Sequence, residues 1–302
     1  MSDASRAGFV ALIGAPNAGK STLLNRLVGQ KVSIVTHKVQ TTRVPVKGIT
    51  IAGASQIIFI DTPGIFAPTK RLERAMVTAA WGGAGDADVV ALLVDSASRP
   101  RQVESLKIAK RLAGGGGAPV LLLNKIDLVP RDTLLALIAE FNQVCAFTET
   151  FPVSALTGEG VEEFLDYLAR NVPEGHWLYP GDQVTDVPLR LLASEVTREK
   201  LFLRLHEELP YALTVETENW EERKDGSVRI EQVIYVERDS QKRIVLGKGG
   251  SQIKAVSMAA RQEMAEILER QVHLFLFVKV RARWTEDPER YRQMGLDFQG
   301  RK

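Results

Sequence analysis

One octapeptide restricts the fold of this chain more than any other part of it: residues 14–21 read Gly-Ala-Pro-Asn-Ala-Gly-Lys-Ser. It follows the apolar run Phe9–Ile13 and leads into Lys20–Val28, where apolar residues recur at helical spacing. Glycines at both ends let the backbone wrap a phosphate group, with its N–H groups pointing inward at the positive end of the helix dipole. The pattern predicts a phosphate site at which Lys20 supplies charge to the β- and γ-phosphates and the Ser21 hydroxyl binds Mg²⁺.

The surrounding sequence alternates short apolar runs with longer amphipathic ones from Gly8 to Asn171, which predicts parallel strands joined by crossover helices. Little period-2 alternation is present in these runs, so both faces of the sheet should be covered. Strands are expected at Phe9–Ile13, Ile57–Ile60, Val89–Val94, Val120–Leu123 and Pro152–Val153. Helices are expected at Lys20–Val28, Lys70–Trp81, Arg101–Leu112, Asp132–Phe141 and Val161–Arg170.

Length and composition limit the class of protein. A chain of 302 residues is long enough for about two domains. It is 45% hydrophobic and 25% charged, which is ordinary for a globular protein, and its apolar runs fall short of the ~18 residues that a membrane-spanning helix needs. Cys145 is the only cysteine, and Met1–Gly8 has no apolar segment of signal-peptide length. We therefore expect a cytoplasmic location. The net charge of +2 requires any nucleic-acid surface to be local.

The tetrapeptide Asn124-Lys125-Ile126-Asp127 follows the fourth predicted strand. A carboxylate at Asp127 accepts hydrogen bonds from N1–H and the exocyclic amine of guanine, whereas adenine has no such pair of donors. The Lys125 stem would lie along the base, and Asn124 would connect this loop to the phosphate loop. These residues predict guanine rather than adenine as the base.

Two further short motifs each come directly after a predicted strand of the same domain. Asp61-Thr62-Pro63-Gly64 follows Ile57–Ile60, so that Asp61 can hold Mg²⁺ through water and the Gly64 N–H can contact a γ-phosphate. Ser154-Ala155-Leu156 follows Pro152–Val153, where backbone N–H groups can meet the guanine O6. Their order and strand-end positions indicate one nucleotide site.

The pattern changes after residues 173–188, which are rich in proline and glycine and are predicted to be a linker. The expected elements beyond it are a helix at Leu189–Leu209, strands at Tyr211–Glu222 and Ser227–Arg238 around the turn Asp225-Gly226, a helix within Gly249–Arg270, and a strand at Val272–Arg283. In this last strand, Phe275 and Phe277 lie on the mixed face. Their rings either stack on bases or pack in the core under the linker, and core packing is favoured.

A basic cluster surrounds Gly247-Lys248-Gly249-Gly250. Between Arg238 and Lys254 there are five basic residues and one acidic residue. Glycines beside a lysine let a sugar-phosphate chain approach the backbone closely. The expected RNA-binding residues are Gly247, Lys248, Gly249, Gly250 and Lys254, with Lys279, Arg281 and Arg283 as weaker candidates. A short helical turn is expected before this loop, since Gln241–Leu246 leaves it few residues. The order helix, two strands, helix, glycine-rich loop, helix and strand resembles a type II KH domain, which implies a groove for about four single-stranded nucleotides.

The motifs of the first half resemble those of the Ras-like, translation-factor-related GTPases. Gln40-Thr41-Thr42-Arg43 supplies a further match, because in that family a threonine completes the Mg²⁺ shell when γ-phosphate is present. The resemblance assigns this role to Thr42, with Thr41 as the alternative, and implies switches at Lys31–Val46 and Ile65–Arg74. The metal ligands expected are thus Ser21, Thr42 and Asp61.

The resemblance also bears on hydrolysis. Many Ras-like enzymes have Gln where this chain has Ile65, so we expect slow intrinsic turnover. Asn17 resembles the asparagine with which related GTPases help to bind K⁺ beside the phosphates; a hydrogen bond within the loop is the alternative. The catalytic residues expected are Asn17, Lys20, Thr42 and Gly64. The nucleotide-binding residues expected are Gly14, Asn17, Ala18, Gly19, Lys20, Ser21, Thr22, Asp61, Gly64, Asn124, Lys125, Asp127, Ser154, Ala155 and Leu156.

A Ras-like GTPase followed by a KH domain resembles the Era family over essentially the whole chain. The run Ser194-Glu195-Val196-Thr197-Arg198-Glu199-Lys200-Leu201 and the tetrapeptide Glu208-Leu209-Pro210-Tyr211 are supporting matches. The fold implied is α/β, a P-loop GTPase domain at 1–172 with a mostly parallel sheet, then an α+β type II KH domain with a C-terminal extension at 189–302.

The Era resemblance implies a function as well. It implies GTP hydrolysis with Mg²⁺ in assembly of the 30S subunit and maturation of 16S rRNA, with the KH domain bound near the 3′ end of that RNA. It further implies a monomer with peripheral membrane association, for which no helix of this sequence argues. Two alternatives are a tRNA-modifying GTPase, disfavoured because such enzymes carry a C-terminal cysteine and extra domains, and a nucleotide-dependent RNA chaperone with negligible turnover.

Overall fold

The computed structural model describes residues 5–115 and 118–298, without the side chain of Gln293. The sequence predicts a flexible loop at Gly114–Gly117, and residues 116–117 of this loop lie outside the description, as do residues 299–302 of the predicted extension. The chain divides into two compact units. The first comprises the described parts of Met1–Ser33, Thr42–Asp186 and Met294–Lys302, and the second comprises Ile34–Thr41 and Val187–Gln293. Most of the predicted linker thus groups with the first unit. No helix in the described ranges is long and apolar enough to cross a membrane.

The first unit is built on a six-stranded sheet in the order β2-β3-β1-β4-β5-β6, in which only β2 is antiparallel to its neighbour. Its strands are β1 (Arg6–Gly14), β2 (Val46–Ala52), β3 (Ser55–Asp61), β4 (Val89–Asp95), β5 (Val120–Asn124) and β6 (Thr150–Val153). Its helices are α1 (Lys20–Val28), α2 (Arg71–Gly85), α3 (Arg99–Ala113), α4 (Arg131–Asn142) and α5 (Val161–Asn171). The five predicted strands and five predicted helices are all present; α1 has the predicted ends, and the other elements have shifted ends.

Both faces of this sheet are covered, as the apolar runs predict. Along β1, Val10 and Leu12 alternate with Ala11 and Ile13, and all four are fully buried. One face forms a core with α2, α3 and α4 that includes Cys145, whose thiol has a raised pKa because it is buried. Parallel strands buried in this way bring their carboxyl ends to one edge of the sheet, where binding loops cluster.

Strand β2 was not predicted from the sequence. It lies at the edge of the sheet, and its residues Val46–Ala52 include a glycine and two polar side chains, Lys47 and Thr50. Continuous apolar runs indicate strands that are buried on both sides, and a half-exposed edge strand does not have that pattern.

The second unit contains a three-stranded sheet in the order β7-β8-β9, with β7 (Leu213–Glu222) antiparallel and β9 (Val272–Val280) parallel to the central β8 (Val228–Val236). Its main helices are α6 (Leu189–Arg204), α7 (Asp239–Leu246) and α8 (Ser251–Leu268), followed by the short α9 (Pro288–Gln293). The element order is the predicted helix, two strands, two helices and strand. Helix α6 ends before the predicted Leu209, because Leu205 is extended and the following residues form a short turn with Pro210.

The prediction that Phe275 and Phe277 pack in the core under the linker is wrong. Their rings lie on the sheet face opposite the apolar core of this unit and are 43% and 49% exposed. The guanidinium of Arg229 lies 4.7 Å from the ring centre of Phe275. Alternation along β9 places Leu274 and Val278 in the core, so the residues between them must face outward.

Candidate functional site

The phosphate loop connects β1 to α1. A Cβ atom at Gly14 would lie 2.4 Å from the Leu93 carbonyl oxygen, and one at Gly19, where φ is +101°, would lie 2.2 Å from Nδ2 of Asn124. Only glycine fits at either position. The Lys20 ammonium donates to the carbonyl oxygens of Gly14 and Ala15, each at 3.1 Å, so this cation lies inside the loop. Burial lowers the pKa of Lys20 from 10.5 to about 8, although the nearby Asp61 opposes this shift.

The next group of oxygen atoms surrounds Asp61, which is fully buried at the end of β3. Its Oδ2 accepts hydrogen bonds from the hydroxyls of Ser21 at 2.6 Å, Ser33 at 2.9 Å and Thr42 at 3.4 Å. The hydroxyls of Ser21 and Thr42 are themselves 2.9 Å apart. Within the described part of the chain, Oδ1 of Asp61 is buried without a hydrogen-bond partner.

These atoms fit a small, hard cation. Carboxylate and hydroxyl oxygens are the ligands that suit Mg²⁺. Burial raises the pKa of Asp61, which means that the site is costly for a bare carboxylate and would favour a bound cation. The set contains Thr42 rather than Thr41, because the Thr41 hydroxyl bonds instead to Thr36 Oγ1 at 2.7 Å and to the Lys38 carbonyl at 2.8 Å.

The segment after β3 lies against the phosphate loop. A Cβ atom at Gly64 would be 2.9 Å from Cα of Pro16, and the N–H of Ile65 donates to the Gly14 carbonyl at 3.0 Å. The Ile65 side chain is buried in the core of the first unit. The position that holds Gln in many Ras-like enzymes thus carries a side chain that points into the core and has no polar atom for a water molecule.

Asn124 joins three loops. Its Nδ2 donates to the Ala18 carbonyl in the phosphate loop at 2.7 Å, and its Oδ1 accepts from the N–H of Ala155 at 2.9 Å. Asp127 accepts a hydrogen bond from Ser154 Oγ at 2.6 Å and remains exposed, as does Leu156. One buried amide therefore holds the phosphate loop and both predicted base-binding loops in register.

Three residues of this site were not predicted from the sequence. Asp95 ends β4, is almost fully buried, and pairs with Lys125 at 2.7 Å and Arg101 at 2.6 Å. Arg101 also reaches the Asn17 carbonyl at 3.5 Å, and Asn17 itself has a φ of +61°. Ser33 is the third hydroxyl on Asp61. A charged residue directly after a buried strand, at the edge that also carries Asp61 and Asn124, is the signal that would have identified Asp95.

In the second unit, Gly247-Lys248-Gly249-Gly250 forms a tight connection between α7 and α8. A Cβ atom at Gly247, where φ is +74°, would lie 2.7 Å from Cβ of Gln252, whereas Gly249 and Gly250 adopt left-handed conformations and face open space. Lys248 and Lys254 are exposed. The loop thus presents its backbone and the Lys248 side chain to solvent, and Lys254 adds a second cationic side chain from the first turn of α8. Lys279 and Arg281, two of the weaker candidates, instead pair with Glu218 and Asp287.

Comparison with known proteins identifies the family. The chain is 66% identical over 294 residues to "GTPase Era" of Rhizobium meliloti (strain 1021), covering 97% of this chain and 94% of that protein. The chain belongs to the Era family of GTPases. Family profiles described as "50S ribosome-binding GTPase" and "KH domain" match residues 9–125 and 208–285 of this Era-family chain.

Two solved structures extend the match. A crystal structure of Era in complex with MgGDPNP and nucleotides 1506–1542 of 16S ribosomal RNA has a TM-score of 0.89 and 39% identity, covering 96% of this chain and 99% of that one. A crystal structure of a point variant of Aquifex aeolicus Era bound to GDP.AlF4⁻ has a TM-score of 0.88 and 38% identity, covering 96% and 99%. The predictions of an Era-family GTPase and of a P-loop domain followed by a KH domain are confirmed.

Proposed function

We propose that this Era-family protein is a Mg²⁺-dependent GTPase that binds the 3′ end of 16S rRNA during assembly of the 30S subunit. The relative crystallised with MgGDPNP and nucleotides 1506–1542 of 16S ribosomal RNA supports both halves of the proposal. The observation that carries the nucleotide half is Asn124, which connects the phosphate loop to the two predicted base-binding loops with hydrogen bonds of 2.7 and 2.9 Å.

The residues of the first unit have separate roles in this proposal. Lys20 and the N–H groups around the loop bind the phosphates, and the exposed carboxylate of Asp127 accepts the two guanine donors. Ser21, Thr42 and Asp61 hold Mg²⁺, which when bound neutralises charge that develops on the β- and γ-phosphate oxygens. Gly64 presents its N–H to the γ-phosphate. Because Ile65 lies in the core, the chain itself orients the attacking water poorly, and intrinsic turnover is slow.

RNA binding belongs to the second unit. Gly247 cannot carry a side chain beside Gln252, and Gly249 and Gly250 leave the backbone bare, so a sugar-phosphate chain can approach closely. Lys248 and Lys254 supply charge to its phosphates. The alternative function, a nucleotide-dependent RNA chaperone, would use the same contacts and would differ only in having negligible GTP turnover.

One experiment separates the two. Phosphate release is measured over many turnovers with GTP and with ATP, each with and without an oligoribonucleotide that matches the 3′ end of 16S rRNA. Turnover of GTP, slow alone and absent with ATP, supports the GTPase. No release in any condition supports the chaperone, and equal use of ATP overturns the assignment of Asp127. Crosslinking to 30S particles in the GTP-analogue and GDP states then maps the RNA contact to single nucleotides.

Five further predictions complete the proposal. We expect a cytoplasmic protein because the single thiol of Cys145 is suited to a reducing compartment. Peripheral membrane association, a monomeric state and the use of K⁺ at Asn17 each remain predictions. The domain limits at residues 172 and 189 also remain predictions, since the two units exchange short segments.

A further inference from the structure

The residues between Ser33 and Thr42 belong to a different compact unit from the residues on either side of them. Ser33 and Thr42 contact Asp61 in the first unit, whereas Ile34–Thr41 groups with the second. This segment lies within the predicted first switch, Lys31–Val46. Its contacts with α6 therefore bear on how Thr42 reaches the predicted Mg²⁺ site.

Helix α6 holds the segment at three points. The N–H of Val35 donates to Glu199 Oε1 at 2.7 Å. The Lys38 ammonium donates to the carbonyl oxygens of Phe202 and Leu205 at the carboxyl end of α6, where a cation is favoured by the helix dipole. The third point is the Thr41 carbonyl oxygen, which accepts a hydrogen bond from the Arg198 guanidinium. All three lie within the run Ser194–Leu201 or just after it, a match to the family that nucleotide and RNA binding leave unexplained.

The guanidinium of Arg198 is held in one position by its surroundings in the protein. Its side chain is only 1% exposed, an unusual state for a charged group. Glu195 pairs with it through both carboxylate oxygens, one of them 2.7 Å from Nε, and the guanidinium lies 5.0 Å from the ring centre of Phe202. A buried and paired guanidinium has few alternative rotamers, so its remaining donors point in fixed directions. One of them meets the Thr41 carbonyl.

The Thr41 carbonyl belongs to the peptide group that also contains the nitrogen of Thr42. Because a peptide group is planar, a hydrogen bond that fixes this carbonyl oxygen also restrains the position of the Thr42 nitrogen and the direction of its N–Cα bond. The Thr42 hydroxyl then lies 2.9 Å from Ser21 Oγ, whereas the Thr41 hydroxyl stays within the segment.

We propose that Arg198 is a positioning residue for GTP hydrolysis: it fixes the peptide group before Thr42 and so places the Thr42 hydroxyl for Mg²⁺, with Glu199 as a second anchor. This proposal rests on the proposed role of Thr42 as a Mg²⁺ ligand. It gives the RNA-binding unit a direct role in the chemistry of the other unit, carried by eight residues of continuous chain.

The test uses the full chain with Arg198→Ala and, as the matched control, Arg190→Ala, which removes an exposed arginine from the same helix. Single-turnover GTP hydrolysis is followed over a Mg²⁺ titration. We expect Arg198→Ala to lower the rate at limiting Mg²⁺ about tenfold, the size expected for the removal of one charge-assisted hydrogen bond. The Mg²⁺ midpoint should rise while GDP affinity and oligoribonucleotide affinity stay at wild-type values. Arg190→Ala should match the wild type throughout.

A second pair of variants keeps the proposal testable if Arg198→Ala fails to fold. Glu199→Gln retains the oxygen that accepts the Val35 N–H, whereas Glu199→Ala removes it, so hydrolysis should be slower for Ala and largely restored for Gln.

Three outcomes would overturn the proposal. The first is an unchanged rate and Mg²⁺ midpoint in Arg198→Ala while Thr42→Ala is slow, which leaves the proposed function intact. The second is an equal loss of GDP binding and hydrolysis in Arg198→Ala, which would show a merely structural role. The third is wild-type hydrolysis by Thr42→Ala, which removes the Mg²⁺ assignment of the proposed function itself.

Discussion

Replacing Asn124 by alanine tests the nucleotide site most directly, because this side chain is 1% exposed and serves two loops. The variant leaves the Ala18 carbonyl and the Ala155 N–H without their partner. Each buried group left unpaired costs about 1–3 kcal/mol, so with two such groups the first unit should lose about 2–6 kcal/mol of unfolding free energy. A loss of about 2 kcal/mol in binding, from loops that no longer hold their register, corresponds to roughly thirtyfold weaker GDP binding.

Two measurements check this. Urea unfolding of the nucleotide-free protein gives the stability change, and isothermal titration calorimetry gives the dissociation constant for GDP. Asn142→Ala is the matched control, because Asn142 is exposed and its side chain donates a local hydrogen bond of 2.9 Å to the Ile138 carbonyl of the same helix. The reasoning is refuted if Asn124→Ala unfolds within about 0.5 kcal/mol of the wild type, the range of ordinary surface substitutions, and binds GDP equally well.

Three other variants or conditions give further predictions. Gly19→Ala should abolish GDP binding, because the new Cβ would lie 2.2 Å from Asn124 Nδ2, whereas Gly175→Ala meets no atom within 4 Å and should bind normally in the same titration. Changing Lys248 and Lys254 to glutamate should weaken oligoribonucleotide binding and lower the slope of its salt dependence by about one for each phosphate group that is no longer neutralised. Fluorescence anisotropy measures the affinity and its salt dependence, and normal binding would exclude the glycine-rich loop as the RNA-binding site. The control is Lys224→Glu, which changes an exposed lysine in the hairpin turn. If Asn17 binds K⁺, GTP hydrolysis should be faster in K⁺ than in Na⁺ buffer, and Asn17→Ala should remove the difference. Equal rates for the wild type would contradict that role.

The parts of the site that were predictable from the sequence are those whose chemistry is local. Gly14–Ser21 and Asn124–Asp127 each carry their residues within a few positions at the end of a strand, so spacing alone indicates their roles. Apolar runs predicted the strands buried on both faces for the same reason.

The parts that were missed depend on long-range pairing. Asp95 with Lys125, Ser33 with Asp61 and Arg198 with Thr41 join residues that are 28 to 157 positions apart. Asp95 directly follows a buried strand and so carries a local signal, but no local pattern distinguishes Ser33 or Arg198 from a solvated polar residue. The outward orientation of Phe275 and Phe277 was missed because alternation shows that two faces exist and does not show which face the helices cover.

The buried Cys145 has a practical consequence for biophysical work. A thiol that is 3% exposed and whose pKa is raised reacts slowly with maleimides and other electrophiles. Because the sequence has no second cysteine, the natural protein already serves as a quiet background for site-directed labelling. A dye or nitroxide at the exposed Ser251, beside the glycine-rich loop, would report on that loop without first removing native thiols.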